Sequence, residues 1–394
     1  MASPVDTSVK HFYSAMAGAP VLNGVAGSLI AILDACLVTG WGLKAVDSAT
    51  VSAGVCRLNF ASGKSAAEVD AVILVAGATP TGLNGEQKVT AVSGTWVEFK
   101  TALPDGAVTG SVSFKMAPAG WTRPFAGTNL AVYQSPNPQS TKMLVRVDDT
   151  GTTSCRLRGY ETMTDINSGA GLFPLDVQIS GGGWMNKSAS ANSSAVRWRI
   201  VANDRTVYIN IVGYSASVAG GEAGRTVLMG DFQAFAPGGD PYAFALGCST
   251  SGSHTDNPGT CDQDGGANQF APRSYTKLGS SIGLTSRAEV GANVTSGVDG
   301  TFGSFPSVID GGLRVSRRLL LQGVTPRGVL PGLYTVPQSD VGLSIAPLTK
   351  LDGVDSVAGR KLLAIGCGAT SVTYPSISLG ISFIDITGPW SYGV

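Results

Sequence analysis

Four observations predict a mainly β, multidomain chain of antiparallel sandwiches or small barrels with one short N-terminal helix. Glycine makes up 53 of 394 residues, beside 20 prolines, so turn signals punctuate the chain throughout. Between them lie short β-branched and aromatic runs of alternating polarity. In TWVEFK, Trp96 and Glu98 share one face while Val97 and Phe99 share the other, the period of a half-buried strand. Only one segment carries helical recurrence. With 394 residues, the chain also exceeds the ~250–300 at which a single core stops growing.

Residues 1–45 read as a docking segment. Its aromatic-rich extended lead, KHFYS, offers His11, Phe12 and Tyr13 as interface candidates. A helix is predicted over 27–38, where Leu29, Ile30, Leu33, Cys36 and Leu37 recur at three- and four-residue steps. Gly40 is placed to stop it.

Residues 46–117 read as a run of hairpins, GEQKVTAV, GTWVEFKTAL and GSVSFKMA, turning at Ser93-Gly94 and Asp105-Gly106. They predict a small barrel or sandwich, either independent or inserted into a larger domain. Residues 118–245 predict a β-sandwich from five strands: KMLVRVDDTG, TTSCRLRGYETM, AVRWRIVAND, RTVYINIVGY and GRTVLMGDFQAF. The stretch 196–213 reads as one hairpin turning at Asn203-Asp204, with Trp198 and Tyr208 as a cross-strand aromatic pair.

Composition then shifts. Residues 246–300 are rich in Gly, Ser, Asn and Asp and predict a long polar loop. Residues 301–394 return to strands: GGLRVSRRLLLQG, GRKLLAIGCG and ISLGISFIDITGPW. Pro331-Gly332 reads as a turn. Gly388-Pro389-Trp390 reads as a strand stop that turns the indole back onto a sheet.

Charge narrows the function. Twenty-seven basic and 27 acidic residues cancel, and only 14% of the chain is charged. No basic field serves a phosphate backbone, so nucleic acid is not an expected partner. No run approaches the ~20 apolar residues of a membrane span. The nearest, GSLIAILDACLV, contains Asp34. The opening MASPVDTSVKHFYS lacks the basic start and apolar stretch of a secretory signal, which predicts synthesis in a cytoplasm.

Candidate chemistry is sparse. The two histidines, His11 and His254, follow no G-x-S-x-G elbow. Asp148, Asp149, Glu161, Asp204, Asp231 and Asp240 show no paired placement. Adjacent Asp148 and Asp149 would face opposite sides of a strand. Of six cysteines, Cys36, Cys56, Cys155 and Cys367 read as buried small hydrophobes.

The polar loop holds the remaining candidates: Cys248, His254 and Cys261 as soft ligands, and Asp256, Asp262 and Asp264 as oxygen donors. Neither C-x5-H-x6-C nor the acids match a standard zinc or calcium pattern. The expectation is therefore a loop without metal, with a Cys248–Cys261 disulfide as the alternative. No cofactor is expected, since the Gly-rich pieces fit no phosphate-binding template. Arg314, Arg317 and Arg318 suit a strand edge or subunit contact. Trp184 and Tyr214 read as core, with glycan recognition as the alternative.

Several segments resemble a family of tailed-bacteriophage virion structural proteins. The opening KHFYSAMAGAPVLNGVAGSLIAILDACLVTGWGLKAVDS is similar to its start. So are Ala119-Gly120-Trp121, Gly127-Thr128-Asn129, Val147-Asp148-Asp149-Thr150 and Arg158-Gly159-Tyr160-Glu161. RGVLPGLY from Arg327 and FIDITGPW from Phe383 complete the pattern. The likeness is densest in 8–165 and 325–390, and brings no catalytic residues with it.

It implies a non-enzymatic structural component of the virion tail, in the tail tip or baseplate. Its expected partners are other virion proteins and copies of itself, with Trp390 added to the interface candidates. A receptor-binding protein contacting a host surface glycan or protein, a capsid decoration or head protein, and a glycan depolymerase are the alternatives.

Overall fold

The computed structural model describes residues 3–61, 63–212, 221–252, 259–264, 268–291, 302–368 and 372–392. Among these residues the strands form sheets of 13, eight, five and two strands. The mainly β class is what the structure has. The predicted helix is Ser28–Leu33, which continues as a π-helical stretch, Asp34–Thr39, before Gly40 ends it. A second α-helix is a single turn, Val341–Ser344.

The first helix is short and lacks a local side-chain cap. Its open N-terminal N–H groups are satisfied from 120 positions away instead. The Asp149 carboxylate accepts the backbone N–H of Leu29 at 2.8 Å and of Ile30 at 3.3 Å. A carboxylate suits the positive end of a helix. Lower down, Asp34 is held by the Tyr133 hydroxyl at 2.8 Å and by Arg123. The helix is thereby fixed to the five-stranded sheet.

The eight-stranded sheet comes entirely from residues 41–116. Its outermost segments in sequence, Trp41–Ala45 and Ser113–Met116, pair with Trp41 opposite Met116. The chain therefore enters and leaves this unit at one place, as an insert does. The sheet does not close into a barrel: Trp41–Ala45 and Gly106–Val108 lie at its two ends.

The five-stranded sheet uses Thr122–Gly127, Leu130–Gln134, Leu144–Asp148, Ser154–Tyr160 and Gly183–Asn186. The predicted sandwich over 118–245 is thus divided, because its later strands join the largest sheet.

That largest sheet begins at Lys10–Tyr13 and runs through Trp198–Ala202, Thr206–Ile211, Arg225–Asp231 and Phe244–Gly247. It continues through Gln269–Ala271, Ile282–Ala288, Ser316–Gln322 and Thr325–Thr335, and ends in Gly380–Asp385, Lys361–Cys367 and Lys350–Asp352. The segment expected as a polar loop over 246–300 therefore supplies strands. Its polarity is absorbed by internal bonds: the Gln269 amide donates to Gly259 O at 2.8 Å, and the Ser286 hydroxyl to Cys261 O at 2.6 Å.

Two further expectations change. Pro331-Gly332 lies inside the strand Thr325–Thr335 and is not a turn between strands. Trp198 stands opposite Ile211, and Tyr208 opposite Val201. The turn takes up Asn203 to Thr206, closed by Asn203 N–H donating to Thr206 O at 3.0 Å. That register sends the two rings into different cores.

One apolar cluster joins the helix, the insert and the five-stranded sheet through Leu33, Leu37, Phe99, Met116, Trp121 and Tyr133. A second, including Tyr208, Leu228, Phe232, Leu333, Ile384 and Trp390, packs on the other side of the long sheet.

Candidate functional site

Cys248, Cys261, Asp262 and Asp264, the metal candidates among the described residues, form no ion site. Among the described residues no group of three or more His, Cys, Asp or Glu could hold an ion. His254 and Asp256 lie outside the described residues. Cys248 and Cys261 are both buried free thiols, not a disulfide. Burial pushes the Cys248 thiol up to about 12 and Cys261 upward as well, so neither is a ready thiolate at neutral pH. A Cβ on Gly183 would lie 2.1 Å from Cys248 Sγ. The thiol therefore fills the space that this glycine leaves.

Asp264 serves as counter-ion to Arg318, with Nη1 to Oδ1 at 2.5 Å. Arg318 is fully buried and also donates to Gln263 O at 2.8 Å, to Cys261 O at 3.2 Å and to Ser286 Oγ. An arginine expected at a contact surface instead ties 261–264 to the sheet. Asp262, also buried, accepts the Thr226 hydroxyl at 2.6 Å, and burial raises its carboxyl to about 6.

The other interface candidates divide by exposure. His11, Phe12 and Tyr13 are buried, because Lys10–Tyr13 pairs with Trp198–Ala202 of the same chain. The lead expected to dock onto neighbours docks onto its own sheet. Trp390 is buried too, with its ring centroid 5.5 Å from that of Tyr208 and its N–H on Asp385 O at 2.9 Å. It sits over Gly332, φ +69°, where a Cβ would be 2.3 Å from the indole nitrogen. RGVLPGLY and FIDITGPW are thus two halves of one packing unit. Arg314 and Arg317 remain at the surface, paired with Asp310 and, bidentately at 2.6 and 2.7 Å, with Glu289.

Beside Trp390 opens a groove of about 820 Å³, lined by Thr141, Arg205, Phe232, Asp240, Trp390 and Tyr392 among others. A smaller cavity of about 170 Å³, also lined by Trp390, reaches Arg317, Tyr334 and Arg360. The charged and phenolic groups of the groove wall are held by partners from behind. Arg205 Nε bonds Asp231 Oδ2 at 3.0 Å, and its guanidinium lies 3.8 Å from the Tyr392 ring centroid. Asp231 also accepts the Thr141 hydroxyl at 2.6 Å. The Tyr392 hydroxyl reaches Thr206 Oγ1 at 2.8 Å and Asn203 Oδ1 at 3.0 Å. Arg327 holds Asp240 through Nε and Nη2, at 3.0 and 2.9 Å.

The remaining acids are engaged as well. Glu161 is bidentate with Arg273 at 2.6 and 2.8 Å, and Asp204 accepts Asn137 Nδ2 at 2.8 Å. Asp148 pairs with Arg146 while its neighbour Asp149 is buried against Lys187, the opposite-facing arrangement expected of adjacent strand residues. Trp184 is half-buried with the Arg156 guanidinium 3.7 Å from its ring centroid. Tyr214 is outside the described residues.

The groove was not legible in the sequence. Its parts come from 139–141, 205, 232–243 and 390–392, and only the aromatic spacing of GPWSY hints at it. No helix among the described residues is long and apolar enough to cross a membrane. Compared with known proteins, the chain matches no family model and no curated sequence.

Proposed function

We propose that this chain is a structural component of a tailed-bacteriophage particle, in the tail tip or baseplate, acting through contacts with other virion proteins and copies of itself. The resemblance of its segments supplies the particle. The disposition of side chains favours contact over chemistry. The acids that could have served catalysis are engaged by arginine, lysine, amide or hydroxyl partners, while large aliphatic groups stand in solvent. Val308 and Ile309 are each 90% exposed, Val177 91% and Val324 92%.

The Val308-Ile309 tip carries the reading furthest, because its loop is braced. Gly311 N–H donates to Ser307 O at 2.7 Å, and the Gln338 amide spans Ser304 O at 3.2 Å and Gly312 O at 3.0 Å. A braced loop loses little freedom on docking. Each aliphatic side chain fully buried is worth about 1.5–3 kcal/mol.

Antibody labelling of intact particles in negative stain is expected to mark the tail; labelling of the head would overturn the placement. Replacing Val308 and Ile309 with serine is expected to leave the melting temperature within about 1 °C, since surface changes stay near ±0.5 kcal/mol. The same change should deplete the chain from assembled particles. Normal incorporation would remove this tip as a contact.

A further inference from the structure

The insert 41–116 is held to the rest of the chain by two sets of contacts. One surrounds its entry and exit. Lys115 Nζ donates to Thr39 O at 2.6 Å, and the N–H groups of Ala119, Gly120 and Trp121 donate to Cys36 and Leu37 carbonyls at 2.8–3.0 Å.

The other set is polar and partly buried. Lys10 Nζ meets Glu86 Oε2 at 2.9 Å, and the Tyr13 hydroxyl donates to the Glu68 carboxylate. Lys88 Nζ donates to Ile386 O and Thr387 O, and Lys350 Nζ to Val69 O.

His11 lies at this second junction. It has no solvent exposure, and neither ring nitrogen has a hydrogen-bond partner. Its register opposite Val201, which in turn faces Tyr208, puts the imidazole on the side of the second core. Charged groups approach this junction from every packed element. They are Lys88 and Glu86 from Gly85–Val92, Glu68 and Asp70 from the stretch before Val72–Ala76, and Lys350 and Lys361 from the far end of the long sheet. Asp385 with Arg360, and Asp6, Lys10 and Tyr13 on the N-terminal segment itself, belong to it, as do Tyr208 and the buried Arg199, paired with Glu222, from the strands beside Lys10–Tyr13.

We propose that this junction is a pH-sensitive latch: a proton taken up by His11 repels Lys88 and Lys350 and loosens the grip of the insert on the long sheet.

Burial, and then the charges of Lys350 and Lys88, hold the imidazole well below its ordinary 6.5. The closed junction therefore prefers neutral His11. Its contribution is fully present above about 6.5, the value in an open chain, and is lost progressively as pH falls below that. Glu68 and Asp385 carry the opposite sign. Burial raises both, so acid relieves their cost and does not open the latch. Burial lowers Lys88 and Lys350, and acid keeps them charged and repulsive. His11 is the group through which mild acid loosens the junction.

The chain has two histidines, so His254→Gln leaves one imidazole to follow by NMR in the full chain. Backbone hydrogen exchange, corrected for its intrinsic pH dependence, would be read across 10–13 and 85–92 from about pH 8 to about pH 5, spanning the histidine range. Exchange is expected to rise about tenfold per unit of proton linkage. In His11→Leu that rise should vanish, with the two proteins equal at the alkaline end. An equal rise in His11→Leu, or no rise in the parent, overturns the proposal. Should His11→Leu not fold, the parent decides alone: an imidazole titrating near 6.5 with the junction still protected also overturns it.

Discussion

The insert and the enclosed strands of the long sheet are both antiparallel β, yet they handle polarity in opposite ways. In the insert, Ser48–Ser52 and Val55–Asn59 alternate between exposed and buried positions, and the Arg57–Glu98 pair lies at the surface. In the long sheet, Trp198–Ala202, Thr206–Ile211, Arg225–Asp231 and Gly380–Asp385 are buried at every position. Both faces of these strands are covered, so their polar residues must find partners inside. Arg199 takes Glu222 and Asn210, and Asp231 takes Arg205 and Thr141. Burial on two faces turns charge from surface decoration into internal wiring.

The difference between enclosed and surface charge is tested most strongly beside the five-stranded sheet, at the ion pair of Asp149 and Lys187, both fully enclosed. Asp149→Ala leaves two helix N–H groups without their acceptor and a buried ammonium with Val25 O at 2.8 Å but no counter-ion. It is expected to cost about 3–5 kcal/mol in urea unfolding. Replacing both residues with leucine should cost less than the single change, because no charge is then stranded. A loss below about 1 kcal/mol for Asp149→Ala would place this pair with ordinary surface bridges.

A smaller effect is expected in the five-stranded sheet, where a Cβ on Gly159 would fall 2.2 Å from the Phe173 ring. Gly159→Ala should cost about 1–3 kcal/mol through overpacking, read as a lowered melting temperature. The smallest belongs to the insert. Glu98→Ala removes a partner of Arg57, whose guanidinium also lies 4.5 Å from the Trp96 ring centroid. Thermal unfolding should register about 0–1 kcal/mol. A loss equal to that of Asp149→Ala would erase the contrast between surface and enclosed charge.

Legibility followed the same division. The insert's hairpins could be read from the sequence because one solvated face leaves period-two alternation behind. Gln269–Ala271 and Ile282–Ala288 could not, since Gln269 and Ser286 bond internally and their polarity imitates a loop. Arg317 and Arg318 are neighbours of one type, yet Arg317 meets Glu289 at the surface while Arg318 is enclosed around Cys261, Asp264 and Ser286. Strand alternation sends them to opposite faces, and only the tertiary structure says that one of those faces is buried.

By itself the amino-acid order determined the β class, the position of the helix and its stop at Gly40, and the scarcity of ionisable chemistry. These depend on neighbours a few residues apart: alternation, helical recurrence, turn dipeptides. Tertiary structure alone decided which sheet each strand joins, why Asp149 caps a helix 120 positions earlier, and why His11 is enclosed among lysines. Such pairings are set by which surfaces exclude water together, and partners that far apart leave no period in the sequence.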